Sequence, residues 1–139
     1  MKKYFNIAFI YAIAAMVCGV FYREFTKYNG FTQKTVLAVC HTHLFALGTL
    51  LFLIIAIITV LSDLESQKLF QRFLIAYNIS LPFMTVMFLI RGIIQVLNIQ
   101  LSNSLNAAIA GIAGISHITM GFSIILLFLS FKHITVKHL

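Results

Sequence analysis

Four long apolar runs, at residues 4–22, 35–61, 70–97 and 105–131, leave this chain few ways to fold. Each is near or above the ~20 residues with which a helix crosses a bilayer. In hydrocarbon a helix satisfies its own backbone polar groups, whereas an open strand leaves them bare. With 61% hydrophobic and 9% charged residues among 139, and a mean hydropathy of +1.02, a soluble domain of this size is excluded. The expected fold class is all-α: an integral membrane four-helix up-down bundle. It forms one domain over 1–139, because no linker, low-complexity tract or internal repeat divides the chain.

The connecting segments are short, so consecutive helices run antiparallel and pack as neighbours. The first spans Arg23 to Lys34 and carries an Asn29-Gly30 turn signal, the second runs from Ser62 to Lys68, and the third, 98–106, is uncharged. The first apolar run continues to Tyr22 without an A-x-A-like cleavage site and reads as a retained helix. Lys2, Lys3, Lys68, Arg72, Lys132 and Lys137 lie on one side of the membrane; Arg23, Lys27 and Lys34 lie on the other. The positive-inside rule then puts both termini in the cytoplasm. A net charge of +7 is scattered over the ends of the runs, which fits lipid headgroups and topology and not a nucleic-acid patch. His133 and His138, near the C-terminal lysines, belong to the same headgroup region.

Within the runs, particular faces stand out. The first carries a stripe of small residues, Ala8, Ala12, Ala15 and Gly19, suited to close helix approach. Tyr11 and Tyr22 read as packing and interfacial anchors. The third carries Ser80, Met84, Met87, Arg91, Gln95 and Asn98 on one face, with Pro82 expected to kink it. The fourth lines up Ala110, Gly114, His117 and Gly121, glycines that clear space for a bulky flat object beside a histidine. Ionisable groups inside a bilayer cost roughly 2.5–3.5 kcal/mol on insertion scales and usually serve a function. His41, His43, Arg91 and His117 are therefore the candidates.

His41 and His43 are about 200° apart on a helix, so they face different environments. Lys34, His41, Gly48 and Thr59 share one side, which reads as bundle interior. Val36, His43, Leu50 and Ile57 share the other. Haem b fits these parts: iron takes neutral imidazoles from facing helices, small residues such as Gly48, Gly114 and Gly121 admit the macrocycle, and Arg91 neutralises propionates. His41 or His43, opposite His117, would be the axial ligands. The smallness of its face favours His41, and depth favours His43. A zinc or copper site built on Cys18, Cys40, His41 and Glu24 is the alternative, and a cofactor-free structural or regulatory subunit is the third reading.

The His-x-His of Cys40-His41-Thr42-His43 resembles the paired-histidine helix of heme-copper oxidases, in which ligands one residue apart face two haems. Histidines on the parallel second and fourth helices also resemble those of respiratory cytochrome b. The chain is far shorter than either and has no histidine cluster for a copper centre, so the resemblance implies a ligand arrangement and not oxygen reduction. Over most of its length, through His41–Phe45 and Gly114–His117, it resembles a family of small four-helix bacterial membrane proteins of unassigned function. That resemblance implies a multi-pass protein of the bacterial cytoplasmic membrane. The expected function is haem-based electron transfer or haem or gas sensing, in a homodimer with a redox partner. No motif for a nucleotide or for hydrolysis is present, which argues against a hydrolase.

Overall fold

The computed structural model describes residues 1–132, 134 and 135; His133, Lys137 and His138, assigned above to the headgroup region, lie outside them. Four helices form the bundle: α1 (Lys2–Tyr28), α2 (Leu37–Leu61), α3 (Lys68–Val96) and α4 (Asn103–Phe131), each long and apolar enough to cross a membrane. A short 3-10 turn, Leu64–Ser66, joins α2 to α3. α1 packs along α2, the start of α2 packs on α3, and α4 packs along α3.

Helix ends differ from the apolar boundaries where polar residues continue a helix beyond the membrane. α1 runs past Tyr22, through Arg23, Glu24 and Lys27, to Tyr28. It stops where Gly30 takes φ +61°, with Phe31 N–H donating to the Thr26 carbonyl and Gly30 N–H to that of Lys27. These two bonds close a Schellman motif, which needs a left-handed residue. α3 ends the same way on Asn98, at φ 49°, with Ile99 N–H on the Ile94 carbonyl and Asn98 N–H on that of Gln95. α4 starts at the Ser102 cap, whose hydroxyl accepts from Leu105 N–H. Pro82 lies within α3, which is continuous from Lys68 to Val96.

The core is aromatic and mildly polar, and the surface is apolar, the inverse of a water-soluble bundle. Tyr77, Phe52, Phe70 and Phe73 are fully buried. Side-chain bridges tie α1 to α3: Tyr4 packs on Phe70 with ring centres 5.8 Å apart, and Tyr11 donates to Asn78 Oδ1 at 3.1 Å. The outer surface presents Phe9, Val17, Ile57, Ile75, Ile79, Ile118, Phe122 and Phe128 to the bilayer, which hydrocarbon solvates.

Two seams depend on small residues. On α1, Ala8 and Ala15 are buried, and a Cβ added to Gly48 of α2 would lie 2.5 Å from Tyr11. Gly48 thus serves α1–α2 packing, and the tyrosine occupies the space a macrocycle would need. On α4 the buried face is Ser116, Met120, Ser123, Leu127 and Ser130. Those serine hydroxyls donate to carbonyls three or four residues earlier. They can therefore face α3 without an unsatisfied donor, and Ser123 meets Ser80 at 3.3 Å.

At the end of the bundle that carries the N-terminus, Asp63 clasps the last described residues. Its N–H donates to the Thr135 carbonyl, and its Oδ1 accepts from Thr135 N–H at 2.7 Å.

Candidate functional site

The widest turn of α2 follows directly on the histidine pair. Residues Leu44–Leu50 form a π-helical segment, a form concentrated at functional sites. It is held from α3 by Tyr77, whose hydroxyl donates to the Leu47 carbonyl at 2.8 Å.

His41 and His43 face different helices, as their angular separation requires. The His41 ring lies on the α1 side, nearly parallel to that of Tyr22 with centres 6.3 Å apart, and a Cβ added to Gly19 would touch it at 3.7 Å. Its Nδ1 is buried with no hydrogen-bond partner. His43 turns toward α3, where it meets the Phe88 ring at 4.9 Å and 63°. Phe88 in turn meets the His117 ring at 5.5 Å and 76°. One phenyl ring of α3 thus contacts an imidazole from α2 and another from α4, so His43 and His117 reach a common level.

Both of these imidazoles are held alike. Nδ1 of His43 lies 2.8 Å from the Val39 carbonyl, and Nδ1 of His117 lies 2.8 Å from the Ala113 carbonyl. A carbonyl only accepts, so Nδ1 carries the hydrogen in each ring, and in the neutral imidazole Nε2 keeps its lone pair. Metal-binding histidines are commonly oriented by such a bond.

His117 differs from expectation in its setting. It lies on the exposed side of α4, because the serine face and not the glycine face packs on α3. Gly114 and Gly121 are exposed too, and a Cβ built on either meets nothing within 4 Å. The glycines do leave open space beside His117, at the bundle surface and not within it.

Arg91, one turn along α3 from Phe88, is half-buried. It lines a cavity of about 90 Å³ with Ile94, Gln95, Leu101, Asn106 and Ile109. It forms no ion pair or hydrogen bond among the described residues. Gln95, on the same polar stripe, serves the structure instead. Its Oε1 accepts from Thr35 Oγ1 at 3.0 Å and from Val36 N–H at 2.9 Å, so it caps the start of α2 from across the seam. Met84 and Met87 are buried filler.

Among the described residues no three His, Cys, Asp or Glu side chains converge as metal ligands. Glu24 is exposed and pairs with Arg23 at 3.3 Å, away from the cysteines. The elements that sequence reasoning missed are Phe88, the serine face of α4 and the π segment. The serines had a legible signal, the seven-residue spacing of 116, 123 and 130.

Residues 1–134 match a family described as "Protein of unknown function (DUF2871)", and the chain belongs to that family. No curated protein and no solved structure matches it.

Proposed function

From membership of a family without an assigned activity, the site has to supply the function, and we propose that the chain binds haem b through His43 and His117. The observation that carries this reading is the pair of like Nδ1–H···O=C bonds, which leaves Nε2 of each ring with its lone pair, on two imidazoles that both contact Phe88. Open space beside Gly114 and Gly121 suits a planar group, and Arg91, without a partner among the described residues, suits a propionate. Haem held by these residues would supply a one-electron couple or a place for a diatomic gas to bind. Electron transfer follows from two histidine ligands and gas sensing from one. His41, on the α1 side, serves a separate environment.

The chain's own residues do three things in this reading. The Val39 and Ala113 carbonyls fix the two tautomers, Arg91 offsets anionic charge, and Phe88 packs against both imidazoles. Several coarser features extend the proposal: the lysine and arginine distribution supports cytoplasmic termini in a bacterial membrane, the exposed glycine face of α4 supports a homodimer, and an electron carrier needs a redox partner.

An oxidised and dithionite-reduced spectrum of the purified protein tests it. His43→Ala and His117→Ala each change or abolish the haem bands, while His41→Ala keeps them. Unchanged haem stoichiometry in His43→Ala and His117→Ala would overturn the reading. A colourless protein would instead support a cofactor-free membrane subunit. The Phe88 ring favours that second reading, since it already packs edge-on with both imidazoles.

A further inference from the structure

At the end of the bundle opposite the N-terminus, two cavities flank Gln33 and Lys34. The larger, of about 610 Å³, is lined at the loop by Thr32, Gln33, Lys34 and Gln95, and further along α2 by Val36, Ala38 and Val39. The other, of about 480 Å³, shares Gln33, Lys34 and Gln95. The orientation of the Gln95 amide is fixed by its partners. It meets Val36 N–H at 2.9 Å, and a backbone N–H only donates, so the atom facing α2 is Oε1 and not the amide nitrogen. Thr35, itself 7% exposed, donates to the same oxygen at 3.0 Å. Both N–H groups of Gln95 Nε2 are therefore left without a partner among the described residues. The side chains of Thr32, Gln33 and Lys34 are uncommitted in the same way. No acid lines either cavity. Glu24 is held by Arg23 at 3.3 Å, and Asp63 and Glu65 lie between α2 and α3, at the other end of the bundle.

We propose that these cavities bind the phosphate of an anionic phospholipid, with Lys34 and Gln95 as the groups that hold it. A phosphodiester offers acceptors and a negative charge. Lys34 answers with a cation and three donors, Gln95 with two donors fixed in direction, and Thr32 and Gln33 with adaptable ones. The place is headgroup level, where the loop after α1 enters α2 beside the last turn of α3. Val36, Ala38 and Val39 carry the larger cavity along α2 toward the hydrocarbon, an apolar wall that suits an acyl chain and that a free phosphate would leave bare. A zwitterionic lipid brings the same phosphate with an ammonium that Lys34 repels. Arg23, Lys27 and Arg91 add positive potential at this end of the bundle against Glu24 alone. Neither His43 nor His117 lines either cavity, so the site is separate from the one assigned to haem.

The test is native mass spectrometry of the full chain, released from micelles that hold equal amounts of phosphatidylglycerol and phosphatidylcholine. The wild type retains phosphatidylglycerol in preference. Lys34→Gln lowers that retention about fivefold, the effect of one basic residue at a lipid surface. Gln95→Glu is the sharper variant. Its carboxylate still accepts from Val36 N–H and Thr35 Oγ1, so the start of α2 stays capped and the unfolding midpoint holds, yet an anion replaces the two donors and retention falls at least as far. Lys68→Gln, at the opposite end of the bundle, keeps the wild-type retention. So do His43→Ala and His117→Ala, whether or not haem is bound, and the lipid and haem readings therefore fail separately. Equal retention of the two lipids, or retention that survives both Lys34→Gln and Gln95→Glu, overturns the proposal, as does an equal loss in Lys68→Gln. Displacement of the lipid by inorganic phosphate would assign the site to a soluble phosphate and overturn it as well.

Discussion

Gly92 and Gly114 sit on neighbouring helices for opposite reasons. A Cβ on Gly92 would collide with the Leu37 side chain and approach its backbone nitrogen to 2.9 Å. Backbone cannot give way as a side-chain tip can, so Gly92→Ala is expected to destabilise by about 1–3 kcal/mol, the usual cost of overpacking. Gly114→Ala meets nothing and gains helix propensity, up to about 1 kcal/mol. Thermal unfolding in detergent should separate the two, with a lowered midpoint for the first only. If haem occupies the open face, Gly114→Ala should also lower haem content without lowering stability. The same scale shows what sequence could disclose. His41, His43, Arg91 and His117 were legible because polar groups in apolar runs are conspicuous. Phe88 was not, because one phenylalanine among 14 announces nothing until two imidazoles are seen against it.

At the scale of elements, all four spans were legible, since length and apolarity alone decide them. Their ends and rotations were less so. Charge gave no warning that α1 continues to Tyr28, whereas Asn29-Gly30 did mark its stop. On α4, glycine spacing suggested space for a planar group beside a buried histidine, yet that face is exposed and serines that satisfy their own hydroxyls form the seam with α3. The π segment has no period that apolar residues could reveal, because nearly every neighbour on that turn is apolar. Its support is testable. Tyr77→Phe removes the hydroxyl donor to the Leu47 carbonyl, at a cost of about 0.5–1.5 kcal/mol. The stability loss should accompany altered hydrogen exchange over 44–50, where the π turn either tightens or opens. Unchanged stability and exchange would show that the turn is held by packing alone. Ser123→Leu is a harsher change, because it fills the seam against Ser80. It should destabilise by about 1–3 kcal/mol and loosen α4, whose main partner is α3.

Across the whole molecule, the asymmetry of charge that argues for one orientation also bears on which side the candidate groups face. His41, His43, Arg91 and both cysteines lie in the half of the bundle nearest the loops at 29–36 and 97–102, and His117 lies at the midpoint of α4. If the termini are cytoplasmic, the groups of that half lie toward the outer face. A haem there would exchange electrons near that surface. Orientation is therefore a functional statement, resting on six Lys and Arg on one side against three on the other. It can be read with a membrane-impermeant maleimide on intact cells. Thr32→Cys and Glu65→Cys place reporters at exposed positions on opposite ends, while the native thiols, Cys40 buried and Cys18 half-buried within the membrane, provide a quiet background. Thr32→Cys should label on intact cells and Glu65→Cys only after permeabilisation. The reverse pattern would place His41, His43 and Arg91 toward the cytoplasmic side, and with them the supply of haem and electrons.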